Sequence, residues 1–336
     1  MTSGPTVSII VPVLNEAASI DTCLLAIEAQ TYPRIEEILV ADGGSTDRTV
    51  AIAARHVKVR ILDNPGRSQA AGLNVALGEA TGDVVVRVDG HSLLEPDYVA
   101  RCVRALTATG AAMVGGMMIP AKVGGWVQRA VAVAMSSRLG AGPARFHVGG
   151  SAGWVDTVYL GCYRTELARR KRGYDPAFIY NEDAEFAHRM GAAGGIWFDP
   201  SIRAVYVPRQ SVAGVARQFF RYGRARAGTV RLHPASLSAR QLAAPLLLLG
   251  LLSPWRRPIG LAYVAVVSTR AAAEAPRDPG AAGGLLLVLP SMHLPWAAGF
   301  LSGILSPPPR RLSPRGGMSR LAISEVGPEG SAGPPS

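Results

Sequence analysis

Apolar and polar positions along this chain follow two regimes, and the change falls near Arg231. Before it, short β-branched runs alternate with stretches whose apolar residues recur at helical spacing; after it, apolar residues gather into near-continuous blocks. Thr6-Val7-Ser8-Ile9-Ile10-Val11-Pro12 reads as a first strand, ended by Pro12, which has no N–H to give a ladder. A helix is expected from Asn15-Glu16 to about Gln30, because Ile20, Cys23, Leu24 and Ile27 share its period. Strand 36–41, helix 48–55, strand 57–62 and a helix through Leu77 repeat the alternation. Val84-Val85-Val86-Arg87-Val88 is a fourth strand, whose four valines suit burial on both faces. Helix 98–109, strand 112–118, an amphipathic helix 126–139 expected to pack in the core, and strand segments 194–199 and 204–207 follow, with a glycine-rich loop over 140–153. The alternation predicts an α/β fold, Rossmann-like, with a mostly parallel sheet and helices on both faces.

In such a sheet ligands bind at the carboxyl ends of the strands. Three strand ends here carry polar strings: Pro12 to Glu16, Asp42-Gly43-Gly44-Ser45-Thr46-Asp47, and Asp89-Gly90-His91. Asp89 and His91, two residues apart, point to one side as the strand opens, a spacing that suits a divalent ion held with a phosphate oxygen. Asp42 is placed to accept from a base or ribose, and Arg67, at the start of the next helix, to meet phosphates. The plainer alternatives are a tight turn with a helix cap at Asp42 to Ser45, and a cap at Asp89 with His91 facing water. Further on, Glu182-Asp183 opens a helix, where carboxylates are favoured by the dipole. Glu185 and Arg189, one turn apart, are expected to pair.

Charge and composition narrow the class. The chain has 336 residues and a formal charge of +11, with a pI near 10.1. Nucleic acid is the first partner such a charge brings to mind, but no helix-turn-helix, zinc-finger spacing or aromatic RNP-like string accompanies it. The arginines cluster at 209–231 and 310–320, beside the apolar blocks, as on a protein resting against anionic lipid. Cys23, Cys102 and Cys162 are an odd number with no paired spacing, so reduced buried thiols are expected. Met1 to Pro5 shows neither a basic n-region nor an apolar h-region, which places the first domain on the cytoplasmic side of a cell membrane.

Three apolar runs, 242–252, 259–269 and 281–305, make up the second regime, and only the last reaches a spanning length of about 20 residues by itself. The first two suit short crossings, a re-entrant hairpin or interfacial helices. Arg310, Arg311, Arg315 and Arg320 favour a cytoplasmic end after the third run, hence an even number of crossings. The expected division is a domain over 1–232, membrane-associated helices over 233–309, and a tail over 310–336 that is basic and then disordered.

Taken in order, Pro12-Val13-Leu14-Asn15-Glu16, Asp42 to Asp47, Asn74 within Gly72-Leu73-Asn74-Val75-Ala76, and Asp89-Gly90-His91 resemble the nucleotide-sugar-binding half of family 2 glycosyltransferases of GT-A fold, the succinoglycan type in particular. The resemblance covers roughly residues 6 to 230. It implies an inverting enzyme using a nucleotide-diphosphate sugar, UDP-linked by expectation, and Mn2+ or Mg2+. Pro12, Asn15, Glu16, Asp42, Arg67, Asn74 and Asp89 would then bind the donor, and Asp89 and His91 the metal. His91 stands where the family's Asp-x-Asp has its second acid; histidine still coordinates manganese. Glu182-Asp183 is similar to the family's Glu-Asp string, which implies Asp183 as base, supported by Glu182. Gln218, Arg221 and Tyr222 match the spacing of its Gln-x-x-Arg-Trp string, which implies contact with the acceptor sugar and leaving diphosphate. The acceptor would be lipid-linked or a growing saccharide. Two rivals stand beside this: a nucleotidyltransferase, which wants a glycine- and lysine-rich loop after the first strand, and a non-catalytic membrane scaffold.

Overall fold

A computed structural model describes residues 4–121 and 123–306. The tail from 310 onward, with the arginines that set the expected topology, lies outside the described residues. The amino-terminal half alternates as the sequence predicts: β1 (Val7–Val13), α1 (Ile20–Glu28), β2 (Ile35–Asp42), α2 (Thr49–Ala53), β3 (Val59–Asp63), α3 (Gln69–Glu79) and β4 (Val84–Arg87). Then come β5 (Ser92–Leu94), α4 (Tyr98–Thr109), β6 (Met113–Pro120), α5 (Trp126–Met135), α6 (Arg145–Val148), β7 (Gly153–Val155), β8 (Tyr159–Arg164) and α7 (Thr165–Arg170). The chain continues through α8 (Glu182–Gly194), β9 (Ile196–Tyr206) and α9 (Val212–Leu232) to α10 (Ala243–Leu251), α11 (Arg256–Glu274) and α12 (Pro279–Leu305).

The strands form one mixed sheet in the order β3-β2-β1-β4-β8-β6-β9-β5, with β7 added to β9. Its longest ladders, β1 with β2 and β6 with β9, are parallel, and β8 enters antiparallel between β4 and β6. Alternation along β1 divides the core. Val7, Ile9 and Val11 face Cys23, Leu24, Val99 and Cys102 of α1 and α4. Ile10, with Val85, faces Leu73 of α3 and Phe186 and Met190 of α8. Burying each such side chain stabilises the fold by about 1.5–3 kcal/mol, which makes the sheet the rigid base of whatever its strand ends carry. All three cysteines are buried and unpaired.

Several boundaries differ from the sequence expectation for local reasons. The helix expected from Asn15 begins only at Ile20, because the chain from 15 to 17 is tied to the β2–α2 loop. Asn15 sits in the left-handed region at φ +57, its N–H donating to Ser45 Oγ and its Oδ1 accepting from the Thr46 N–H. The Glu16 N–H donates to Thr49 Oγ1 at 2.8 Å. The two expected segments 194–199 and 204–207 are one strand, β9, which bulges against β6 between Gly115 and Met117.

The three apolar runs become α10, the middle of α11, and α12. Among the described residues α12 alone is long and apolar enough to cross a membrane, and 44% of its most apolar window is buried. What buries it is the rest of the protein. Its start lies on α5, where Arg129 pairs with Asp278 at 2.7 Å, and its end runs along α9. There the backbones touch through glycines: a Cβ on Gly299 would overlap the Phe220 carbonyl oxygen, and one on Gly303 would stand 2.7 Å from Ala227 Cβ. Small residues allow this closeness, and larger ones would force the helices apart.

Candidate active site

The carboxyl ends of β1 and β4 and the start of α3 enclose a cavity of about 200 Å³. Pro12, Glu16, Arg67, Gln69, Asp89 and His91 line it, so five of the residues singled out in the sequence do meet. Gly90 makes the approach possible, since a Cβ there would lie 2.9 Å from Val13 Cγ1. A larger cavity of about 520 Å³ opens at the opposite ends of β1 and β4, beside Asp83, Arg164 and Arg169, and contains none of them.

Three expected residues lie outside this cavity's lining. Asn15 is occupied with the Thr46 backbone. Asp42 Oδ2 accepts from the Gly44 and Ser45 N–H groups, each at 3.0 Å, which is the turn alternative realised. Asn74 brackets the backbone of Tyr174, donating to its carbonyl and accepting from its N–H, each at 2.7 Å. Arg67, at φ +53, lays its guanidinium over the Gly43-Gly44 turn at the amino-terminal end of α3, where free N–H groups and the helix dipole favour an anion.

Asp89 and His91 are held by different partners. Asp89 Oδ1 accepts from Gln69 Nε2 at 3.0 Å and from Arg87 Nε and Nη2 at 3.2 and 3.1 Å, leaving Oδ2 without a hydrogen bond among the described residues. His91 Nδ1 is 3.0 Å from Glu16 Oε1, and Glu16 Oε2 accepts from Ser19 Oγ at 2.8 Å. The bond to Glu16 raises the imidazole above its ordinary range, against the effect of burial. Burial acts to raise Glu16, but the His91 bond and charge outweigh it and the carboxyl is lowered. No group of three His, Cys, Asp or Glu side chains suited to a metal occurs among the described residues. A pair remains available: with Nδ1 on the Glu16 carboxylate, Nε2 of His91 is the ring nitrogen left to ligate once a metal displaces its proton, and Asp89 Oδ2 is the carboxylate oxygen left without a hydrogen bond among the described residues. An ion held by the two would take its other ligands from phosphate oxygens and water.

Across the sheet, α8 begins at Glu182, just after Asn181 in the left-handed region at φ +65. Its first two carboxylates differ sharply. Asp183 is exposed, whereas Glu182 is 4% exposed and accepts from Arg87 Nη2 at 3.2 Å. Burial, and next the Asp183 charge, push the Glu182 carboxyl up to about 7, with Arg87 opposing. Glu185 and Arg189 pair at 2.6 Å, as their spacing predicts.

The residues of the α9 string lie outside the lining of that cavity, and of the three Tyr222 alone feels the charges of Asp183 and Asp89. Gln218 Nε2 donates to Tyr222 Oη at 2.7 Å, Gln218 Oε1 accepts from Arg209 at 3.3 Å, and Arg221 lies over the Tyr180 ring at 5.5 Å. Tyr222 is 39% exposed, yet its phenol is held above the ordinary range, first by crowding at the hydroxyl and then by the charges of Asp183 and Asp89. Three residues of this site, Arg87, Gln69 and Arg209, carried no sequence assignment. Arg87 alone had a signal: a charge inside a valine run that is buried on both faces must have a carboxylate partner.

Residues 8–153 match the family model described as glycosyl transferase family 2. The chain is similar to the succinoglycan biosynthesis protein ExoA of Rhizobium meliloti (strain 1021), 34% identical over 318 residues, covering 88% of this chain and 94% of that protein. It is also similar to a Methanococcus voltae dolichyl N-acetyl-alpha-D-glucosaminyl phosphate 3-beta-D-2,3-diacetamido-2,3-dideoxy-beta-D-glucuronosyltransferase, 27% identical over 239 residues, 67% of this chain and 74% of that one. Among solved structures, the mannosyltransferase PcManGT from Pyrobaculum calidifontis, in complex with GDP-Man and Mn2+, superposes with a TM-score of 0.61 at 21% identity, covering 90% of this chain and 88% of that one. That likeness establishes the GT-A fold.

Proposed function

Because the chain belongs to glycosyl transferase family 2 and is a glycosyltransferase acting with nucleotide sugars, we propose that it runs an inverting transfer from a UDP-linked sugar to a lipid-linked or saccharide acceptor in cell-surface or exopolysaccharide synthesis. The observation that carries this is the pairing of unlike carboxylates at the start of α8. Asp183 is exposed, while its neighbour Glu182 is buried and tied through Arg87 to Asp89 of the donor cavity. A base must reach the acceptor hydroxyl, and Asp183 is the one of the two that can. It takes the proton as the acceptor oxygen attacks the anomeric carbon opposite the departing nucleoside diphosphate. Glu182 keeps it in place.

On the donor side, Arg67 and the amino-terminal end of α3 meet the diphosphate, and Glu16 orients His91. Asp89 and His91 would hold a manganese or magnesium ion, which when bound supplies charge neutralisation for the leaving diphosphate. The complex of the mannosyltransferase with GDP-Man and Mn2+ supports this choice of ion. Gln218, Arg221 and Tyr222 of α9 would serve the acceptor side, where an aromatic ring can stack on an acceptor sugar and a guanidinium can offset the developing negative charge; the influence of the Asp183 and Asp89 charges on Tyr222 supports this.

The site sits beside the apolar helices. Leu246, Leu249 and Leu252 of the α10 segment, Trp255, and Leu261 and Val264 of α11 are all exposed, and Arg256 and Arg257 stand at their junction. An apolar surface edged by tryptophan and arginine suits the inner face of an anionic cell membrane. With the catalytic domain on the cytoplasmic side, a lipid-linked acceptor could present its sugar at the crevice.

Calorimetry on the purified full chain tests the donor assignment. UDP should bind in the presence of Mn2+, weakly without it, and lose the metal-dependent part in Asp89→Ala. UDP binding indifferent to both metal and Asp89 would contradict the assignment; GDP binding in its place would keep the site and change the donor.

A further inference from the structure

A single guanidinium links the two ends of this site, and the proposed chemistry gives it no step of its own. Arg87 is 4% exposed and sits on β4, two residues before Asp89 and 95 before Glu182. Its Nε and Nη2 both bond Asp89 Oδ1, at 3.2 and 3.1 Å, and the same Nη2 bonds Glu182 Oε1 at 3.2 Å. The Tyr174 ring packs against this side chain, its centroid 5.7 Å from the guanidinium carbon. Tyr174 is fixed in turn, by Asn74 at its backbone and by Tyr163, whose hydroxyl is 3.0 Å from its own.

Two carboxylates against one buried cation cannot move independently. If Asp89 turns toward a metal diphosphate, Arg87 loses part of its neutralising charge and leans on Glu182; if Glu182 is removed, Arg87 grips Asp89 alone. Lysine could not replace it, since a point charge offers no fork with which to hold two carboxylates in fixed directions. Removing one member of a buried ion pair is costly because the other charge is left uncompensated, so Arg87 also serves the fold, and only a readout on ligand affinity separates positioning from that structural role. We infer that Arg87 is a positioning residue that couples donor-side Asp89 to base-side Glu182, so that occupancy of the nucleoside diphosphate site sets the carboxylates at the start of α8. This rests on the nucleotide-sugar assignment above.

A double-mutant cycle on ligand affinity tests it, with UDP plus Mn2+ as the probe, and GDP plus Mn2+ in parallel, on the full chain. Glu182 does not line the donor cavity, so without coupling Glu182→Gln should leave affinity unchanged. With coupling, Glu182→Gln weakens UDP·Mn2+ binding about five- to tenfold, because Arg87 then holds Asp89 more firmly, and the same change has no further effect in an Arg87→Met background. Arg87→Met alone leaves the buried Glu182 without its cation and Asp89 with Gln69 as its remaining partner. Should it fail to fold by thermal melt, Arg87→Lys completes the cycle, and there too the Glu182→Gln effect should shrink to within twofold. Wild-type affinity in Glu182→Gln, or equal effects in both backgrounds, would overturn the coupling. A wild-type chain that binds neither nucleotide would overturn the donor assignment itself, and this shows before any variant is compared.

Discussion

Replacing Gly299 by alanine should separate the part α12 plays as a wall of the catalytic domain from any part it plays in lipid. The added Cβ would overlap the Phe220 carbonyl oxygen and stand 2.9 Å from its carbon and 3.0 Å from the Arg224 nitrogen. Because the overlap with that oxygen is the deepest of the three, relief requires α9 and α12 to part locally by more than about 1 Å, given ordinary contact distances of about 3.5–4 Å. Overpacking of this kind costs about 1–3 kcal/mol, against which better helix propensity returns at most about 1 kcal/mol. Gly283, on the same helix, is the control, since a Cβ there meets nothing within 4 Å. Gly283→Ala should raise the melting temperature slightly and Gly299→Ala should lower it by several degrees, both measured on the full chain in the same detergent. Because Gln218, Arg221 and Tyr222 ride on α9, Gly299→Ala should also slow transfer while UDP·Mn2+ affinity, set at the far side of the crevice, stays within about twofold. Equal stability of the two variants would refute the seam.

Two further outcomes follow from the site. Glu182, raised to about 7 in the fold from an unfolded value near 4.5, binds its proton more tightly when folded, so its contribution to stability is full below about pH 4.5 and is lost as pH rises through about 7. Thermal melts between pH 5 and 8 should therefore show a fall that is shallower in Glu182→Gln. Asn74→Ala removes both bonds to the Tyr174 backbone and should destabilise the protein by about 1–3 kcal/mol in denaturant titration, with donor binding weakened only through Tyr174 and Arg87.

The strands nearest the donor were legible because their chemistry is redundant. β1, β2 and β4 are runs of valine, isoleucine and leucine that end in proline, aspartate or a glycine turn, and any of these signals would have served. β8 gave no such signal. Leu160 and Gly161 both take positive φ, at +62 and +111, so the chain is twisted where alternation would otherwise show. β5 and β7, three residues each, are too short for periodicity and exist only because β9 offers them an edge. The site divides in the same way. Pro12, Glu16, Arg67, Asp89 and His91 come together because strand ends of one sheet must converge. Asn74 sits one layer back, since a helix residue's partner is chosen by tertiary packing that no local string reports. The partners of Arg87 lie 2 and 95 residues away, and only the fold brings the second one close.

The most direct test of the proposed chemistry is Asp183→Asn in the full chain, followed by release of UDP from a UDP-sugar during transfer, with UDP·Mn2+ affinity measured alongside. Loss of the base should lower turnover by about 10²–10⁴ while affinity stays within about twofold, because Asp183 is outside the donor cavity. Transfer at the wild-type rate would contradict the assignment of Asp183 as the base.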